Sequence, residues 1–166
     1  MSLLDRRSLL RLALPLAALG LGACGFTPVY APGGAGAALR GQVLVQEPTT
    51  QPGYLLARQL ETRLGRSNPA ARYALDMTLD VAEEGLAINS AGDITRYNLI
   101  GEAGFALRDT TTGSIVTSGD VRNFTAYSAT GTTVATLAAE RDAVERLMTI
   151  LADQIVARLF TTALPA

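Results

Sequence analysis

The stretch that most constrains the fold lies near the carboxy terminus. Between Thr133 and Leu159, Leu137, Val144, Leu147, Met148, Leu151, Ile155 and Leu159 recur at the spacing that lines one side of an α-helix. Arg141/Glu145 and Asp142/Arg146 stand four residues apart on the other side, where opposite charges support helical turns. One long helix with a single apolar stripe needs a surface to cover, and the preceding residues supply strands. Tyr73, Leu75, Met77, Leu79 and Val81 alternate with Asp76, Thr78 and Asp80, which predicts a strand with one buried and one wet face. A connection over 83–93 ends in the turn residues Asn89 to Asp93, and Ile94 to Arg108 repeats the pattern. There Tyr97, Leu99, Ala103, Phe105 and Leu107 oppose Arg96, Asn98, Glu102 and Arg108, while Gly101 and Gly104 leave room for a bulge or a close neighbour. Asp109 to Gly113 predicts a hairpin into a fourth strand, Ser114 to Tyr127, where Gly119 marks a possible bulge site.

Upstream, the β-branched run Leu39 to Gln46 predicts a first strand ending at Glu47-Pro48. Pro52 suits an amino-terminal helical position, Leu56, Leu60 and Leu64 recur every four residues, and Gly65 to Pro69 ends that helix. A strand-helix-strand unit of this length places its strands parallel, with a right-handed crossover. The expected fold is therefore α+β, in the order β-α-β-β-β-α. Its four-stranded mixed sheet carries two helices on one face, because the polar faces of the second and third strands show no matching apolar surface.

Ahead of this domain, Leu9 to Leu21 is an apolar run too short to span a bilayer, preceded by Arg6, Arg7 and Arg11 and followed by Gly22, Ala23 and Cys24. That order predicts a lipoprotein signal peptide over 1–23, with Cys24 as the lipidated residue of the mature chain. Two or more acyl chains, at about 0.8 kcal/mol per buried CH₂, give stable attachment where one would be marginal. Arg6-Arg7-Ser8-Leu9-Leu10 also satisfies a loose twin-arginine pattern, so export in the folded or the unfolded state is open. Residues 24–38, rich in Gly, Ala and Pro, are read as a flexible tether, with Phe26, Val29 and Tyr30 packing near the bilayer, on the domain or on a partner. Residues 39–166 form a single domain.

Composition narrows function. The chain has 14 basic and 15 acidic residues; Arg6, Arg7, Arg11 and Asp5 leave with the signal, so 11 against 14 gives the mature chain a net charge of −3. No electrostatic footprint for nucleic acid is present. All the basic residues are arginine, there is no histidine, and Cys24 is the sole cysteine. The usual general base, the usual zinc and iron ligands, and the Ser-His and Cys-His pairs are thereby removed. Glu83-Glu84, beside Gly85 where the second strand is expected to end, reads as a solvated turn and not as an acid-base pair.

Cys24-Gly25-Phe26-Thr27-Pro28-Val29-Tyr30 follows the small residues directly. With the element order, Ala139 to Ala143 (AERDA) and Leu151 to Leu159 (LADQIVARL), it resembles the lipopolysaccharide-assembly lipoprotein family, LptE. The resemblance spans the chain and is most specific at its start and in the final helix. It implies a non-enzymatic outer-membrane lipoprotein without cofactor or metal. Such a protein sits in the lumen of an LptD-like β-barrel, helps that barrel mature, and assists lipopolysaccharide insertion. A wet lumen suits a domain presenting a polar sheet face. Lipopolysaccharide phosphates call for arginines, and Arg96, Arg108 and Arg122 are the sheet candidates. The alternative is an envelope scaffold lipoprotein with no lipopolysaccharide role; a small serine or carboxylate hydrolase is a third reading.

Overall fold

The computed structural model describes residues 29–164; the expectations for the signal, Cys24, the export motif and Phe26 lie outside the described residues. The elements are α1 (Ala35–Leu39), β1 (Val43–Val45), α2 (Gln51–Leu64), β2 (Tyr73–Ile88), β3 (Ile94–Asp109), β4 (Ile115–Ser128) and α3 (Thr133–Phe160). The strands form one sheet in the order β1-β2-β3-β4. β1 runs parallel to β2, and the other pairs are antiparallel. The mixed α+β architecture is the expected one, with α1 added.

α2 starts where its sequence dictates. Thr50 Oγ1 accepts from the Gly53 N–H at 3.2 Å, and Pro52 occupies the first turn, where a missing N–H costs nothing. It stops at Gly65, whose φ of +80° is open to glycine at little cost. Thr132 caps α3 by accepting from the Ala135 N–H at 3.3 Å. Leu56, Leu60 and Leu64 of α2 and Leu147, Leu151, Ile155 and Leu159 of α3 share one core with Tyr73, Leu75, Leu99, Phe105 and Leu107 of the sheet. Both helices therefore lie on a single sheet face. Each such leucine, taken fully out of water, contributes about 1.5–3 kcal/mol. α3 crosses β3 at Gly101, where an added Cβ would stand 2.9 Å from Leu151 Cδ1 and 3.1 Å from Leu147 Cδ2.

Four expectations change. The first strand is three residues long, because Gly41 at φ +69° breaks the extended run, and Leu39 is instead a fully buried residue of α1. The stretch read as tether thus carries a helical turn at its end, and Tyr30 packs edge-on to Phe160 with ring centroids 5.4 Å apart. β2 does not stop near Val81 but continues to Ile88, paired with β3 apart from an irregularity around Leu86 and Ala87, so the turn shrinks to 89–93. Glu83 and Glu84 are accordingly strand residues opposite Leu99 and Asn98, and Glu83 Oε2 accepts from the Tyr127 hydroxyl at 2.9 Å. Ladder hydrogen bonds hold this outer hairpin where side-chain alternation is weak, a contribution that apolar patterning does not report. Finally, the stripe on α3 is buried only from Ala143 onward, and Leu137 remains 44% exposed, because the first two turns project past the core.

Candidate docking face

The sheet face opposite the helices is uncovered, and its composition follows from register. Between the bulges, the even-numbered residues of β2, β3 and β4 point to it, and the pairings set them in rows across the strands: Asp76–Ala106–Ser118, Thr78–Gly104–Asp120, Asp80–Glu102–Arg122, Ala82–Ile100–Phe124 and Glu84–Asn98–Ala126. The middle of β3 contributes small residues, Gly104 and Ala106, so the surface dips there. Two adjoining hollows of about 480 and 550 Å³ share Thr78, Gly104 and Asp120. A Cβ on Gly104 would stand 2.6 Å from Thr78 Oγ1 and 3.0 Å from Asp120 Oδ1, so glycine keeps the floor open. Beside this trough, Ile100 and the 62% exposed Phe124 line a further hollow of about 380 Å³. The face expected to be polar throughout therefore contains an apolar row.

The three candidate arginines share this face but do not converge. Arg96, Glu102 (the register partner of Arg122) and Arg108 stand six residues apart along β3, roughly 20 Å per step at about 3.4 Å per residue. Arg108 Nη2 lies 3.2 Å from Asp76 Oδ2 and its Nη1 donates to the Gly113 carbonyl at 3.0 Å. Arg122 Nη1 lies 3.0 Å from Glu102 Oε1. Arg96 is exposed and has no ion pair among the described residues. Asp80 and Asp120 likewise have none, so five carboxylates (Asp76, Asp80, Glu84, Glu102, Asp120) against three arginines leave the face at −2. Asp120, Ile100 and Phe124 had no individual signal in the sequence; register alone makes them neighbours.

Two further polar groups mark the ends of the sheet. Asp109 Oδ1 accepts from the Thr111 and Thr112 N–H groups at 2.8 and 3.2 Å, and Arg72 Nε stands 3.5 Å from its other oxygen. The Thr111 amide leads in holding this carboxyl below its usual range, with Thr112 and Arg72 adding to it. Tyr127 is pushed above the usual phenol range, first by desolvation and then by its bond to Glu83. It stacks on Tyr97 with centroids 5.2 Å apart. Among the described residues no group of carboxylates has metal-binding geometry, and no helix is long and apolar enough to cross a membrane.

A sequence model of the lipopolysaccharide-assembly family LptE matches residues 41–159, which takes in β1 through nearly all of α3. The chain belongs to the LptE family. Solved structures share the LptE-like fold at low identity. A lipoprotein of Caulobacter crescentus CB15 matches at a TM-score of 0.64 and 22% identity over 76% of this chain and 93% of that one. A minor lipoprotein of Acinetobacter baumannii matches at 0.59 and 20%, over 76% and 99%. The rare lipoprotein B of Shewanella oneidensis matches at 0.54 and 17%, over 71% and 91%. No curated protein sequence matches the chain. Placement in a lipopolysaccharide-assembly family thus rests on the family match, and the lipoprotein structures agree with it in fold.

Proposed function

We propose that this LptE-family protein is anchored in the outer membrane through lipidated Cys24, seats its domain in the lumen of an LptD-like β-barrel, and assists lipopolysaccharide insertion there without catalysis. The observation that carries the reading is the family match over the folded domain, residues 41–159. The shape supports it. Strands of 14 to 16 residues make a body roughly 50 Å long, and four strands at about 4.8 Å spacing make it narrow, as a lumen requires. The core sits wholly on the helix side, so a hydrated wall can be met by a sheet face that is already polar. Of the three candidate arginines, Arg96 is the one with no ion pair among the described residues, and it takes the contact with lipopolysaccharide phosphate.

A tagged chain recovered from detergent-solubilised outer membrane should bring down an LptD-family barrel, identified by mass spectrometry, in near-equal amount. Recovery without any such barrel would return the protein to the scaffold reading. Arg96→Glu should lower lipopolysaccharide capture by the purified domain while leaving its thermal unfolding unchanged, because that side chain lies outside the core.

A further inference from the structure

The uncovered sheet face is built for a cation, although its arginines suggest an anion. Arg108 and Arg122 are already engaged by Asp76 and Glu102, at 3.2 and 3.0 Å. Beside them stand Asp80 on β2 and Asp120 on β4, one row apart and neither ion-paired among the described residues, and Gly104 is the floor between Thr78 and Asp120. A phosphate entering here would meet a net charge of −2, whereas an ammonium or guanidinium group would meet two free carboxylates in a half-enclosed hollow. Phosphate binding at this position would compete with two existing pairs.

Spacing narrows the occupant. The Ile100–Phe124 row lies two residues along β3 from the row that carries Asp80, about 7 Å away, and four from the row that carries Gly104 and Asp120, about 14 Å away. Side chains i, i+2 and i+4 of an extended segment sit on one face at those same separations. A segment lying along β3 therefore places a basic side chain over the trough and an apolar one on Ile100 and Phe124. The trough is two strand spacings wide, roughly 10 Å, which is room for one extended backbone.

We infer that the outer sheet face centred on Gly104 is a protein-docking surface for an extended basic segment, with Lys or Arg two or four residues from an aliphatic or aromatic side chain. The inference rests on the barrel reading only for which protein supplies that segment. Lipopolysaccharide contact is then left to Arg96, about 27 Å from Gly104 along β3.

The test uses the full-length chain in its own cells, with a photo-crosslinking amino acid at Ser118 on the trough wall or, as control, at Arg58 on the exposed side of α2. Adducts are identified by peptide sequencing. Ser118 should capture a protein peptide with a basic residue two or four positions from an apolar one, and Arg58 should not. Asp80→Lys with Asp120→Lys should lower that yield about tenfold or more, the paired Asn changes should lower it less, and all variants should melt with the wild type. The inference is overturned by an adduct to lipopolysaccharide, an adduct lacking the basic residue, no adduct at Ser118, or a yield indifferent to charge reversal. Should a barrel still copurify in any of those cases, the proposed function stands alone. If instead Ser118 captures a basic segment of another envelope protein and no barrel copurifies, the inference stands and the barrel reading falls.

Discussion

Replacing Gly101 by alanine isolates the closest approach of α3 to the sheet. The backbone there is extended, so alanine is free of backbone strain and reduces the freedom of the unfolded chain, a gain of about 0.4–1 kcal/mol. Against that gain stands the contact geometry. The new methyl would lie 2.9 Å from Leu151 Cδ1, 3.1 Å from Leu147 Cδ2 and 3.2 Å from Leu147 Cγ, where carbon pairs prefer about 3.5–4.0 Å. Both leucines are fully buried, so relief means moving α3 by roughly half an ångström or forcing rotamers in a filled core. Overpacking of this kind costs about 1–3 kcal/mol. The net loss is about 1–2 kcal/mol, and for a domain of this size Tm should drop by roughly 2–8 °C. Thermal and urea unfolding of residues 25–166 would measure it, but the decisive assay is a double-mutant cycle with Leu151→Ala. That change alone costs about 2–5 kcal/mol by leaving a cavity. In its presence the closest of the three contacts is gone and Leu147 can shift into the vacated space, so the pair should cost about 1 kcal/mol or more less than the sum. A Gly101→Ala protein as stable as the wild type, with no coupling to Leu151, would refute the crossing described here.

Gly65→Ala should destabilise by about 1–2 kcal/mol in urea, since φ is +80° and the new Cβ would stand 3.3 Å from the Gly41 nitrogen; an unchanged midpoint would mean that α2 ends differently. Because the Tyr127 pKa is raised, its stabilising contribution is complete below the unfolded value of about 10 and is lost as pH rises towards the higher folded one. A phenolate difference titration between wild type and Tyr127→Phe should therefore show the missing phenol ionising above pH ~10, and ionisation in the ordinary range would remove the Glu83 contact from the account. The Asp109 carboxyl is lowered, so its contribution is present above the unfolded value of about 3.9 and lost as pH falls through the folded one. Urea midpoints of Asp109→Asn should then fall less steeply than those of wild type below pH ~4, and parallel slopes would exclude that role for the hairpin cap. Cys24→Ser should leave the membrane fraction, and unchanged fractionation would remove the lipid anchor from the proposed function.

Local physics was legible without coordinates wherever one element's own residues decide its state. Pro52 and the four-residue leucine repeat place α2 to within a residue of its observed start, and the alternation from Tyr73 identifies the buried side of β2. The α3 stripe identifies both the helix and the need for a sheet beneath it, and Cys24 behind Gly22 and Ala23 is a reading that belongs to sequence alone. Those signals are periodic, and a period of 3.6 or 2 survives without knowledge of neighbours.

The docking face required tertiary structure because it is made by register. Nothing near Arg122 in the chain announces Glu102, twenty residues earlier, or shows that Asp76 lies across from Arg108, so neutralisation of two candidate arginines stayed hidden until strands were paired. Ile100 and Phe124 are unremarkable singly and form an apolar shelf only because β3 and β4 align them. The same dependence hid the far half of β2. Its side chains are exposed on both faces, yet hydrogen bonds to β3 keep it extended as far as Ile88. Side-chain periodicity encodes which surface of an element leaves water, whereas pairing partners are chosen by backbone hydrogen bonds and loop closure among distant residues. The charge and shape of this sheet face are therefore properties of the assembled sheet.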